Sequence, residues 1–154
     1  MYNNGHYVSA LKLLMSFIDT VSYLEFGDIA KSFQQWLDKY VDLNSIKVTS
    51  TELWEMRNSI LHMTNSDSRK VLKGEVHRLM FYVGTLKKGL SDKTDEAKYF
   101  ELINLITIIS DGIQQWAKTY NINPSKFTDF VNRYNRIFSD SRYETIKIDK
   151  LCIT

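Results

Sequence analysis

Very little in this chain breaks a helix: Pro124 is its single proline, and six glycines are spread over 154 residues. These two residue types penalise a helix interior most, by about 3 and about 1 kcal/mol. Between the interruptions, apolar residues recur at three- and four-residue steps, the spacing of an amphipathic helix. Leu11, Leu14, Met15, Ile18, Val21 and Leu24 define a first helix from about Ser9 to Phe26, with Gly27 as its stop. Phe33, Trp36, Leu37 and Tyr40 share one side of a second helix within AKSFQQWLDKYVD. Thr49 and Glu52 have capping-box spacing, so a third helix starts there and runs through LWEMRNSILHM. Further on, Tyr99, Leu102, Ile103, Ile106, Ile109, Ile113, Trp116 and Ala117 make a broad apolar face, and a long central helix is expected from about Glu96 to Asn121. Pro124 suits the first position of a last helix, with Asn123 as cap, carrying Phe127, Phe130, Val131, Tyr134 and Phe138.

Three stretches read differently. Thr64 to Glu75, TNSDSRKVLKGE, is polar and reads as a loop, and SDKTDE reads as a linker and helix start. VHRLMFYVG favours extended structure, with Gly84 as punctuation. The tail YETIKIDKLCI alternates Ile146 and Ile148 with polar residues and is expected to pair with the strand near Phe81. The expected fold is therefore mainly α: a single-domain bundle of about five helices over 1–154, with a small β-hairpin or strand pair. Eight Phe, nine Tyr and three Trp supply its core.

Charge narrows the function classes only a little. The formal net charge is +2, so nucleic-acid binding would rest on a local patch. Cys152 is alone, which excludes an internal disulfide and a cysteine zinc site and suits a reducing compartment. His6 and His77 lack metal partners at a convincing spacing, so no metal and no cofactor are expected. The first residues lack a signal-peptide pattern, and the apolar stretches are far short of a membrane span. A cytoplasmic protein is expected.

Chemistry concentrates in Arg57-Asn58-Ser59-Ile60-Leu61-His62. On a wheel of about 100° per residue, Leu53, Met56, Ile60 and Met63 lie to one side of Arg57 within roughly 120°, and Trp54 and Leu61 lie to the other within roughly 60°. Arg57 thus stands inside an apolar arc, and a guanidinium there needs an acidic partner: a carboxylate, a ligand or a phosphate. Asn58 and His62, four apart, share the adjoining edge. Arginine clamps a phosphate, histidine moves a proton near neutral pH, and the set suits metal-independent RNA cleavage by attack of the 2′-hydroxyl. Downstream, Arg69, Lys70, Lys73 and Arg78 are candidates for contacting an RNA backbone, although a solvated loop is the simpler explanation of them.

RNSILH resembles the Arg–polar–x3–His signature of HEPN domains, small helical bundles of which many are ribonucleases in toxin–antitoxin, antiviral and stress systems. The resemblance implies a homodimer with a composite cleft, Arg57 and His62 catalytic, Asn58 supporting, RNA as substrate and an antitoxin protein as a partner. The wide apolar arc points to Trp54 or Leu61 near the dimer interface. The alternative is a non-catalytic helical module that binds a nucleotide or a partner protein, with Arg57 buried against a carboxylate of its own chain.

Overall fold

The computed structural model describes residues 5–63, 68–85 and 97–137. Among these residues, six α-helices and two strands follow in the order α1 (Tyr7–Phe26), α2 (Ser32–Tyr40), α3 (Ser50–Asn58), α4 (Arg69–Leu72), β1 (Arg78–Tyr82), β2 (Ala97–Glu101), α5 (Leu102–Ile122) and α6 (Lys126–Ile137). The fold is mainly α with a small strand pair, as the helical spacing implies. Among the described residues, no helix is long and apolar enough to cross a membrane.

The first three helices form where their apolar spacing puts them. Leu11, Met15, Ile18, Val21 and Leu24 of α1 are buried, as are Phe33, Trp36 and Leu37 of α2. Gly27 ends α1 at φ +79°, a conformation open to glycine, and its N–H donates to the Tyr23 carbonyl. At the start of α3 the capping box is complete: Glu52 N–H donates to Thr49 Oγ1, and Thr49 N–H donates to Glu52 Oε2 at 2.9 Å. Helix α2 packs against α1, α3 and α5, which makes it the central contact of the bundle.

The middle of the chain departs from expectation. Residues 97–101 are a strand, and α5 begins only at Leu102. Glu101 caps it, accepting the Asn104 N–H at 2.8 Å. The buried face of α5 is Leu102, Leu105, Ile109, Gly112 and Trp116, whereas Ile103 is exposed. The partner of β1 is β2, in parallel, with Arg78 opposite Ala97 and Tyr82 opposite Glu101. Parallel strands require a crossover, so the pair is no hairpin. The tail expected to supply the pairing strand lies outside the described residues. The polar stretch expected as a loop contains the single helical turn α4, capped by Ser68, whose Oγ accepts the Val71 N–H. Helix α6 starts at Lys126 rather than at Pro124, and the Asn123 side chain accepts the Ser125 hydroxyl instead of a helix N–H. Tyr134 is exposed and stacks on Phe130, while Phe138 lies outside the described residues.

Two close fits tie the bundle. Gly112 faces α2 so tightly that an added Cβ would stand 2.7 Å from Val41 Cγ2 and 3.0 Å from the Tyr40 carbonyl oxygen. Gly112→Ala gains about 1 kcal/mol of helix propensity but overpacks this contact by about 1–3 kcal/mol. A lowered melting temperature is the expected result; an unchanged or raised one would show that α2 and α5 separate easily.

The second fit is the Glu25 carboxylate, with a side chain only 3% exposed. It accepts hydrogen bonds from Tyr40 Oη at 2.6 Å, Trp116 Nε1 at 2.9 Å, Lys126 Nζ at 2.8 Å, Lys39 Nζ at 3.1 Å and Tyr120 Oη at 3.3 Å. Burial alone pushes this carboxyl up, but the bonds from Lys126, Tyr40, Trp116 and Lys39 outweigh it and hold the pKa at about 2. Arg133 of α6 adds bonds to the Leu24 and Glu25 carbonyls at the end of α1. One acidic residue thereby joins α1, α2, α5 and α6.

Candidate functional site

Arg57 is the last but one residue of α3, and His62 lies beyond it in a π-helical turn, Ser59–Met63. In an unbroken α-helix, residues five apart diverge by about 140° and their side chains point apart. The i→i+5 repeat of a π turn brings such residues to one face. Arg57 Nη1 accordingly lies 3.2 Å from His62 Nε2, and donates to Asn58 Oδ1 at 3.0 Å. Ser59 Oγ donates to the Glu55 carbonyl at 2.9 Å, a back-bond that bends helices where the turn begins.

Arginine has no acceptor atom, so its contact with His62 is a hydrogen bond only when Nε2 carries no proton. In that hydrogen bond the Nε2 lone pair faces the guanidinium, and Nε2 is the atom that could take a proton once Nη1 turns to another acceptor.

The acidic partner demanded by Arg57 is Asp19 of α1. Its Oδ2 accepts from Nε at 2.7 Å and from Nη2 at 2.6 Å. The two side chains are 19% and 28% exposed, so the pair is only partly withdrawn from water. Behind it, the guanidinium lies 5.1 Å above the Trp54 ring, and Trp54 packs on Phe33 at 5.3 Å. Asp19 holds the Nε–Nη2 edge of the guanidinium and Trp54, backed by Phe33, covers a face, which leaves Nη1 directed at Asn58 and His62.

A cleft of 250 Å³ opens beside this pair, lined by Glu55, Asn58, Ser59, His62, Ser68 and Arg69. His62 is exposed at its edge. Of the basic residues singled out from sequence, only Arg69 lines the cleft. Lys70 pairs with the buried Glu55 at 3.1 Å, and Lys73 sits near Glu75 at 3.9 Å. Arg78, at the start of β1, lines a separate cleft with His77. Trp54 and Leu61, expected at a dimer interface, are partly buried against the chain's own core. Among the described residues, no group of His, Cys, Asp or Glu is arranged to hold a metal ion.

Asp19, Glu55 and Ser68 are not among the residues that the sequence singles out. Asp19 had a signal: Arg57 required a carboxylate, and Asp19 is an acidic residue inside the apolar run of α1, next to Ile18. No family model matches the chain, and no curated protein and no solved structure does either.

Proposed function

We propose that this chain is a HEPN-like, metal-independent endoribonuclease acting as a homodimer. The observation that carries the reading is the 3.2 Å approach of Arg57 Nη1 to His62 Nε2 at the mouth of an open cleft. The two atoms define where a substrate would sit. A phosphate oxygen replaces the imidazole as acceptor for Nη1, and Nε2 is released to take the proton of the adjacent 2′-hydroxyl. The 2′-oxygen then bonds to phosphorus, the bond to the 5′-oxygen breaks, and the departing oxygen takes up a proton. The products are a 2′,3′-cyclic phosphate and a 5′-hydroxyl. Arg57 steadies the charge that develops on the phosphoryl oxygens. Asn58 holds Nη1 in place, and Arg69 adds positive charge to the cleft wall. A toxin or defence effector, checked by an antitoxin protein, is the role this activity fits.

Every step uses a proton or a guanidinium, so cleavage of a single-stranded RNA should persist undiminished in excess EDTA. Activity that vanished on chelation and returned with magnesium would sink the mechanism.

A second reading has its own observation. Arg57 already has a carboxylate in its own chain, Asp19, on two of its nitrogens. That arrangement suits a non-catalytic helical module in which the arginine is a structural tie between α1 and α3. The Arg57 and His62 variants discussed below separate the two readings.

A further inference from the structure

The segment 68–78 lies along one face of α3, running in the opposite direction. Ser68 and Arg69 meet His62 and Ser59 across the first cleft, Lys70 pairs with Glu55, and His77 reaches Glu52. Glu52 and Glu55 are buried, so α3 supplies an acidic floor on which a basic segment is laid. At the far end of this rail is a second cleft, of 380 Å³, whose walls include His77, Arg78, Gly74 and Glu75. Glu52 and His62 are ten residues apart on the helix, which places the two ends about 15 Å from each other.

His77 is held as a working imidazole is held. Its Nδ1 is 3.3 Å from Glu52 Oε1. Lys98 Nζ lies 2.8 Å from Oε1 and 3.1 Å from Oε2 of the same carboxylate, which also accepts the Thr49 N–H. Burial pushes the Glu52 carboxyl up, but these bonds override it and keep the group below its ordinary range. An ionised carboxylate only accepts, so the proton of that contact belongs to Nδ1. A carboxylate on one ring nitrogen fixes the ring's orientation. Nε2 is left for a ligand, in a cleft that Arg78 also lines, and it donates to a phosphate oxygen when the ring carries both protons, with Glu52 as counter-ion. Among the described residues, Glu75 is the one carboxylate of that cleft's wall, and Lys73 stands 3.9 Å from it.

We infer that the His77–Arg78 cleft is a second phosphate-binding site, which takes a backbone phosphate of the same RNA strand a few nucleotides from the bond cleaved at His62. The inference rests on the ribonuclease reading for its ligand. Glu52 is the positioning residue, and the strand follows segment 68–78 past Arg69.

The chain has three histidines, His6, His62 and His77, so their ring signals in NMR report the two clefts separately, with exposed His6 as reference. The probes are a 2′-O-methyl dinucleotide and a 2′-O-methyl hexanucleotide, neither of which can be cleaved. The dinucleotide should move the His62 signal, and the hexanucleotide should move those of His62 and His77. His77→Gln should weaken the hexanucleotide about tenfold, the loss of one charge-assisted hydrogen bond, and leave the dinucleotide unchanged. Arg78→Gln should act in the same direction. A hexanucleotide that moves His62 but not His77, or a His77→Gln loss equal for both lengths, would overturn the second site and leave the ribonuclease reading intact. A hexanucleotide that moves His77 while His62 stays silent would support the site and defeat that reading.

Discussion

Replacing Glu25 by alanine should destabilise the protein by about 3–5 kcal/mol, because it leaves buried donors from α2, α5 and α6 without their common acceptor. The cost is large because the donors are tied to the fold: Trp116 packs edge-on against Trp36 and Tyr120, and Lys126 lies over the Tyr120 ring. The same carboxylate makes stability depend on pH. Its folded pKa is about 2, below the ordinary 4.5. The stabilisation is therefore fully present above pH 4.5 and is lost as the pH falls from there towards 2. Urea unfolding of the parent and of Glu25→Gln across that interval is the measurement. The variant should be weaker at pH 7 and show a flatter slope in acid; parallel curves would mean that other carboxylates control acid unfolding.

His62→Ala should reduce RNA cleavage by about 10²- to 10⁴-fold, the range for loss of a general acid or base. Its ring is exposed, so stability should change by less than about 0.5 kcal/mol. Arg57→Ala should lose at least as much activity, because the phosphate clamp goes with it. Its stability cost should fall between the extremes. A fully buried pair would cost about 3–5 kcal/mol when broken, and an exposed one under about 1. The Arg57–Asp19 pair is partly exposed, but Oδ2 meets both Nε and Nη2 and Trp54 backs the guanidinium, and about 1–2 kcal/mol is expected. Thermal melts beside a cleavage assay read both effects. Two folded, inactive variants support the enzyme. A parent chain with no cleavage, or a His62→Ala variant as active as the parent, leaves Arg57 as a structural tie.

The helices were legible wherever a run of apolar residues had both a clear period and a clear end. Leu11 to Leu24 closes on Gly27, and Thr49 with Glu52 opens α3 as the capping-box spacing requires. The Glu96–Asn121 segment misled because Tyr99, Leu102, Ile103 and Ile106 fit a helical stripe as well as a strand followed by a helix. Periodicity alone does not separate those cases over a few residues, and the pairing of Ala97–Glu101 with β1 is a long-range fact. Correcting the start shifts the buried face of α5 onto Leu105 and Gly112, which the longer helix had left out. At the candidate site, the sequence identified Arg57, Asn58 and His62 and the need for an acid. It left open which acid, since Asp19 is 38 residues away in the chain. It also carried no sign of the π turn, whose extra residue per bond is a backbone choice that many sequences permit.

That turn has an energetic meaning for the bundle. A π repeat gives up the tighter hydrogen-bond spacing of the α form, so Ser59–Met63 is held in an alternative to the ordinary helix rather than at its obvious minimum. Slipping back to α would rotate His62 by roughly a third of a turn from Arg57. The register of one short segment therefore decides whether the arginine–histidine pair exists, and Ser59 and Ile60, buried within that segment, tie the register to the core packed beneath α3.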